Sequence, residues 1–169
     1  MAALMEVSEQ SRVFDEWLST HKGVLFKVVH AYAFTPPDRE DLFQEIATQV
    51  WNSIPRFRAE SAVTTWLYRV ALNTALAWSR KERKHRDQAQ SLDIHEPTLH
   101  KTSRTKDRRL GWLYDQIAQL DHVDRSLTLL LLDGHSYREI AETLGISENY
   151  VGVKINRIKT HLKSLTKEE

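Results

Sequence analysis

Cysteine is absent from this 169-residue sequence, and proline and glycine are scarce, at four and five residues. Without cysteine, neither a disulfide scaffold nor a thiolate metal site is possible, and a reducing cytoplasm is a fitting location. The leucine run Leu129–Leu132 is far too short to cross a bilayer. The segment Met1–Glu9 lacks the basic flank and apolar run of a signal peptide. We therefore expect a cytoplasmic protein with no membrane insertion.

Common enzyme motifs are also missing from the sequence. It contains no glycine-rich phosphate loop, no His-Glu-x-x-His and no Gly-x-Ser-x-Gly. The eight histidines are scattered, with no partners arranged as metal ligands on a pocketed helix face. We expect a protein that is not an enzyme and that needs neither a cofactor nor a metal.

Helical periodicity is what the chain has instead, and no segment alternates convincingly as a strand does. The first half carries apolar stripes at helical spacing over residues 13–18 and 24–32. Pro36-Pro37 interrupts this pattern, and a helix then starts near Asp38 and stops at Pro55. The apolar side of that helix carries Leu42, Phe43, Ile46, Val50 and Trp51. A helical bundle is therefore expected here.

The bundle is expected to end with a long helix from about Ala62 to about Arg86. Its inward residues are predicted to be Trp66, Leu67, Val70, Leu76 and Ala77. From residue 87 to residue 108 the composition becomes polar, with Pro97 inside and no apolar stripe. So long a stretch without secondary structure is unusual inside one compact domain. The sequence therefore predicts an all-α protein of two small helical domains, 8–86 and 109–167, joined by a flexible linker, 87–108.

The second domain contains the pattern of a helix-turn-helix, starting at Ser136. Ser136 and Glu139 fit a capping box, in which each side chain satisfies the backbone amide of the other. Ala141 is small enough to let a second helix cross closely, and Gly145 permits a left-handed turn. Ser147 can cap the helix that follows. Because the two caps, the small residue and the glycine occur at the spacing that a helix-turn-helix requires, this motif is favoured over an ordinary helical hairpin.

The second helix of this motif has one apolar and one polar face. Val151, Ile155, Ile158 and Leu162 recur at helical spacing and are expected to face inward. The net charge of the chain is only +1, so the local distribution of charge is more informative. The outward residues, which can contact base edges and phosphates in a major groove, are Asn149, Gly152, Val153, Lys154, Asn156, Arg157 and Lys159.

Two separate stretches resemble one protein family. Tyr137–Leu162 resembles the DNA-binding region four of sigma factors in their extracytoplasmic-function (ECF) form. Asp41-Leu-Phe-Gln-Glu45 through Trp51 is similar to the polymerase-binding helix of that family. Arg56-Phe-Arg-Ala-Glu-Ser61, followed by Thr65-Trp-Leu-Tyr-Arg-Val-Ala71 and Asn73, is similar to its promoter-melting segment. The resemblance implies a sigma factor that binds RNA polymerase core, directs it to specific promoters and helps to melt the DNA.

The resemblance also implies partners and site residues. The partners are the clamp of the largest polymerase subunit, promoter DNA in double-stranded and melted form, and an inhibitory anti-sigma factor. The polymerase-binding residues would be Asp41, Leu42, Gln44, Glu45 and Ile46. The residues at the downstream (−10) element would be Arg56, Phe57, Arg58, Glu60, Ser61, Trp66, Arg69 and Asn73. At the upstream (−35) element, Tyr137 would join the outward residues of the second helix.

For some residues, a role in the protein core competes with the DNA-binding role that the resemblance implies. Tryptophan on a helix is more often core than a platform for a base, so core is favoured for Trp66, whereas both roles stay open for Phe57. Gly152 and Val153 depart from the family pattern, in which basic or small polar residues are common at those positions. Gly152 also destabilises its helix by about 1 kcal/mol relative to alanine.

A helix-turn-helix repressor or activator, acting as a dimer without polymerase, is the alternative function. The Trp66-Leu-Tyr-Arg69 segment after a basic and aromatic loop speaks against it. An RNA-binding adaptor is a third class, and it would need an exposed surface of aromatic and basic residues outside the helix-turn-helix.

Overall fold

The computed structural model describes residues 6–89 and 108–166. They belong to two compact units, one within residues 1–101 and the other within residues 102–169. Every regular element among the described residues is helical, which confirms the predicted all-α fold class. Most of the expected linker lies outside the described residues, but its first residues, 87–89, still belong to a helix.

The first unit is a three-helix bundle. Its helices are α1 (Val7–Tyr32), α2 (Pro36–Ser53) and α3 (Val63–Ala89), and a 3₁₀ turn, Ile54–Arg56, follows α2. Each helix packs against the other two. The largest side chains with almost no exposed surface are Tyr68, Leu25, Leu42, Ile46, Leu67, Val28 and Val50.

Helix α1 combines the first two apolar stripes of the sequence. The two stripes meet at a kink, where His21 has non-helical backbone angles (φ −118°, ψ 15°). After the kink, Val24, Leu25 and Val28 are buried, whereas Val13 is only half-buried before it. Most of the buried residues of α1 therefore follow the kink, and only Trp17 precedes it.

Helix α2 starts two residues before the predicted Asp38. The Thr35 hydroxyl accepts a hydrogen bond from the Asp38 amide (3.3 Å), and Pro36 and Pro37 form the first helical positions. Proline suits these positions because its φ is already helical and the N–H that it lacks would have no partner there. The two prolines therefore begin the helix instead of only separating it from α1.

Helix α3 buries a different set of residues from the predicted one. Leu67 is buried as expected, and Trp66, Val70 and Leu76 are half-buried, but Ala77 is exposed, so its predicted inward position is wrong. Because α3 packs against both α1 and α2, its buried face is broader than one stripe. This face contains Leu67, Tyr68, Ala71, Leu72, Ala75 and Trp78.

The second unit contains α4 (Arg108–Gln119), α5 (His122–Leu132), α6 (Tyr137–Leu144) and α7 (Glu148–Leu165). Its core is formed by Ile117, Leu127, Leu130, Ile140, Val151 and Ile155. The buried Arg125 donates hydrogen bonds to the carbonyls of Ala118 (2.7 Å) and Leu120 (3.0 Å), which joins α5 to the end of α4. Within the two described ranges, no helix has the length and apolarity needed to cross a membrane.

Candidate nucleic-acid interface

The helix-turn-helix of the second unit is built as predicted. The Ser136 hydroxyl accepts a hydrogen bond from the Glu139 amide (3.2 Å), and the Glu139 carboxylate accepts one from the Ser136 amide (2.7 Å). The hydrogen bond from the Ser136 amide to the carboxylate is the main cause that holds the pKa of Glu139 below its ordinary value, and the Ser136 side chain adds to it. Gly145 ends α6 in the left-handed region (φ 69°), and Ser147 caps α7 by accepting from the Tyr150 amide (3.1 Å). The predicted capping box, turn and second cap are therefore confirmed.

Helix α7 presents most of the predicted outward residues to solvent. Asn149, Val153, Asn156, Arg157 and Lys159 are exposed, whereas Val151, Ile155 and Ile158 are buried. The ring of Tyr137 lies over Gly152, and a Cβ at position 152 would be 3.7 Å from its Cε2 atom. A shallow depression on this face is lined by Tyr137, Glu148, Asn149, Gly152, Val153 and Asn156.

Lys154 differs from its predicted outward position. Its Nζ atom lies 3.0 Å from Oδ1 of Asp124 and 3.9 Å from Oδ2 of Asp121, and only 18% of its side chain is exposed. The contact with Asp124 raises the pKa of Lys154 above its ordinary value. The ammonium group is thus directed towards the start of α5, because two carboxylates lie there. The ion pair between Lys154 and Asp124 therefore holds α7 against α5.

This ion pair leads to a test of the predicted DNA-binding role of Lys154. We expect Lys154→Gln to leave the salt dependence of promoter binding unchanged, because Asp124 already neutralises the charge. Arg157→Gln is the matched control: Arg157 is exposed, and its loss should reduce the slope of log K against log salt by about one unit. The measurement is a titration of polymerase-bound protein on promoter duplex at several salt concentrations. Equal slopes for the two variants would show that Lys154 leaves Asp124 and contacts a phosphate.

The predicted polymerase-binding residues on α2 divide into two groups. Leu42 and Ile46 have no exposed surface, so their prediction as apolar contacts is wrong: the helix directs them into the core. Asp41, Gln44 and Glu45 lie on the outer side. These three residues are called the α2 polar face below.

Two residues of the α2 polar face are held by α3. The Asp41 carboxylate accepts a hydrogen bond from the Trp78 indole (2.8 Å). The Glu45 carboxylate lies 3.3 Å from Lys81 Nζ, in a pair whose side chains are 38% and 67% exposed. An exposed pair of this kind adds little stability. Asp41 therefore has a structural role that Glu45 lacks.

The loop before α3 rests on an aromatic cluster. The Phe57 ring contacts Trp17 edge to face (centroids 5.1 Å apart) and lies beside Trp66 (5.5 Å). The Trp66 indole in turn donates a hydrogen bond to the Ser53 hydroxyl (3.0 Å). Through these contacts, Phe57 and Trp66 hold the loop against α1 and α3. No sequence signal places Trp17 there, because Trp17 is distant in the chain and belongs to an ordinary apolar stripe.

The side of the loop that faces solvent is polar. Arg56, Arg58 and Glu60 are exposed, and Ser61 is half-buried. Ala59 has left-handed backbone angles (φ 57°), which cost a residue other than glycine about 1 kcal/mol. On α3, Trp66, Arg69 and Asn73 share one side of the helix by their spacing. The loop and this side of α3 thus present guanidinium, carboxylate, hydroxyl and amide groups.

Two family models match the chain. Sigma-70 region 2 matches residues 17–85, and Sigma-70 region 4 matches residues 110–162. The first match contains α2, the aromatic cluster and the loop, and the second contains the helix-turn-helix. Together they account for most of the chain.

Individual relatives agree with the family models. The chain is 28% identical to the ECF RNA polymerase sigma-E factor of Haemophilus influenzae, over 96% of this chain and 93% of that protein. It is 29% identical to the RNA polymerase sigma factor YlaC of Bacillus subtilis, over 73% of this chain and 75% of that protein.

Two solved structures share the fold. One is the sigma factor RpoE in complex with the anti-sigma factor NepR from Bartonella quintana (TM-score 0.73, 19% identity, 92% of this chain and 98% of that chain). The other is CnrH in complex with the cytosolic domain of CnrY (TM-score 0.67, 21% identity, 94% and 90%). With both regions matched in order, the chain belongs to the sigma-70 family of RNA polymerase sigma factors, in its ECF group.

Proposed function

We propose that this protein binds RNA polymerase core in the cytoplasm, directs it to specific promoters and helps to melt the DNA, without catalysing a reaction itself. The observation that carries the proposal is the presence of both sigma regions in one chain. We assign residues 8–86 to polymerase binding and promoter melting, and residues 109–167 to upstream recognition. Residues 87–108 connect them.

The α2 polar face is the surface that we assign to the polymerase clamp. It has two carboxylates and an amide within about one helical turn, and Lys81 is the neighbouring cation that pairs with Glu45. A basic partner surface would complement these carboxylates, and such charge complementarity favours rapid and reversible association. The contact is therefore proposed to be polar, with Leu42 and Ile46 acting only from the core.

The loop of residues 56–62 is the segment that we assign to DNA melting. Extruding a base costs a few kcal/mol, which contacts formed after extrusion must offset. Glu60 and Ser61 supply hydrogen-bonding groups for such a base, and Arg56 and Arg58 supply charge for the phosphates on either side. Phe57 and Trp66 keep the loop in place, and Arg69 and Asn73 extend the polar surface along α3.

Helix α7 is the element that we assign to the major groove of the upstream element. Asn149, Val153 and Asn156 are exposed, and they are the residues that we propose contact base edges. Arg157 and Lys159 are exposed cations for the phosphate backbone. This division separates specificity from affinity on a single helix.

An anti-sigma factor is the regulatory partner that we propose. Both solved relatives were captured in complexes, one of them explicitly with an anti-sigma factor. The first unit also has an apolar patch, in which Phe26 stacks on Phe43 (centroids 5.2 Å) while 52% of Phe26 is exposed. An exposed aromatic pair of this kind is suited to protein contacts.

Reconstituted transcription tests the proposed function. With purified bacterial core polymerase and a promoter library, we expect this protein to produce transcripts from a defined subset of promoters, whereas core alone produces none of them. Gel filtration of the free protein separates the alternative, because a conventional repressor should elute as a dimer. Specific duplex binding by a dimer without polymerase, together with no transcription, would contradict the sigma-factor function.

A further inference from the structure

The presence of glycine at position 152 of the helix-turn-helix is not explained by the fold of this motif. It lies inside α7, where glycine destabilises a helix relative to alanine. Its φ is not in the left-handed region, which Gly145 and Gly134 occupy. A Cβ at position 152 would meet the Tyr137 ring at 3.7 Å, an ordinary van der Waals distance. Neither backbone geometry nor packing therefore requires glycine at this position.

The missing Cβ has a consequence for the surface. The depression on the outward face of α7 is lined in part by Gly152, and Tyr137 and Val153 contribute apolar surface to it. Val153 is 44% exposed, although its two methyl groups would favour burial. Outside the helix itself, only the edge of the Tyr137 ring lies within 4 Å of the position of an alanine Cβ, so an apolar group from outside can approach the helix backbone there.

The polar lining of the depression indicates what kind of group can enter. Glu148 contributes a carboxylate, and Asn149 and Asn156 contribute amides, but no cation lines the depression. A phosphate would be repelled by the carboxylate and would find no positive charge. A base edge suits the lining better, because amides form hydrogen bonds with bases and an apolar surface accepts a methyl group.

We propose that the depression over Gly152 receives the 5-methyl group of a thymine in the upstream promoter element. Among the four DNA bases, thymine alone presents a methyl group in the major groove. The methyl group would lie in van der Waals contact with the Cα atom of Gly152, beside Val153 and Tyr137, where the Cβ of an alanine would keep it out. Asn149 and Asn156 are then beside the bases adjacent to this thymine. The proposal rests on the assignment of α7 to the major groove.

Deoxyuridine gives a direct test, because it differs from thymidine only by the methyl group. Each thymine of the upstream element is replaced in turn, and the affinity of polymerase reconstituted with this protein is measured by competition at constant salt. At one position we expect deoxyuridine to weaken binding about fourfold, the value of burying one methyl group. At the other thymines the substitution should have little effect.

Two glycine-to-alanine variants make the test specific. Gly152→Ala should bind the thymine duplex about fourfold more weakly and should no longer distinguish thymine from deoxyuridine, because its own methyl group fills the space. Gly23→Ala is the matched control: Gly23 lies in α1 with no atom near the position of a Cβ, and the variant should behave like the parent. Thermal unfolding should show that Gly152→Ala is at least as stable as the parent.

The possible failures are distinguishable. If the polymerase binds the upstream element normally and no thymine shows a methyl effect, the proposed thymine site is wrong while the sigma function stands. A methyl effect that persists in Gly152→Ala would place the contact elsewhere and would also overturn the proposal. If the reconstituted polymerase protects no upstream element, the proposed function itself fails.

Discussion

Phe57→Ala is expected to destabilise the first unit by about 3 kcal/mol, the lower end of the range for phenylalanine because the ring is only half-buried. The ring contacts both Trp17 and Trp66, so its removal leaves a cavity beneath the loop. Promoter opening should fall together with stability. Urea unfolding and permanganate reactivity of unpaired thymines measure the two effects on the same variants.

Arg58→Ala and Glu60→Ala are the matched controls for this prediction. Both residues are exposed in the same loop, so their replacement should change stability by no more than about 0.5 kcal/mol. We expect both variants to bind duplex promoter with polymerase and to open it poorly. A pre-melted promoter should restore binding for Phe57→Ala at low temperature, where the unit is folded. If Phe57→Ala is as stable as the parent and still fails to open DNA, the ring contacts a base directly.

The second large effect is expected at Asp41, where structure and binding can be separated. Asp41→Ala leaves the indole N–H of the buried Trp78 without its acceptor, which should destabilise the unit by about 1–3 kcal/mol. Asp41→Asn keeps an oxygen acceptor and removes only the charge. We expect the double variant Asp41→Asn with Glu45→Gln to remain folded and to bind core polymerase about tenfold more weakly.

Glu40→Gln is the control for the loss of negative charge. Glu40 is exposed on the same helix, about 100° around its axis from Asp41 and about 40° beyond Gln44, so it lies at the edge of the α2 polar face and not within it. Its replacement should leave the dissociation constant for core polymerase unchanged. Fluorescence anisotropy with labelled protein measures all of the variants. Equal weakening by Glu40→Gln would indicate general electrostatic attraction, and no weakening by the double variant would place the docking surface elsewhere.

The parts of the site that depend on local signals were predictable from the sequence. A capping box, a left-handed glycine and a second cap act within a few residues of one another, so the amino-acid pattern alone assigns the roles of Ser136, Gly145 and Ser147. The apolar stripe of α2 likewise indicated that Leu42 and Ile46 face inward. Their assignment as polymerase contacts came from the family resemblance and contradicted that stripe, and the structure agrees with the stripe.

Other features depend on contacts between distant residues. Lys154 faces Asp124 because α5 and α7 pack together, and the spacing within α7 contains no information about that neighbour. By sequence, Phe57 could equally pack beneath the loop or stack on a base. Only its contact with Trp17, forty residues earlier in the chain, favours the packing role. Ala77 was predicted to be inward because one stripe was extended along a helix that packs against two partners.

The left-handed backbone of Ala59 determines how this position can vary among related sequences. Its side chain is exposed, so size and charge are weak constraints there, and the allowed φ is the strong one. Glycine and asparagine adopt this conformation readily, whereas valine and isoleucine do so only with strain. In a saturation library at position 59 that is selected for transcription, we therefore expect the amino acids to rank by how readily they adopt a left-handed φ. The backbone conformation of the turn would then be retained among related sequences, whereas the amino acid itself would vary.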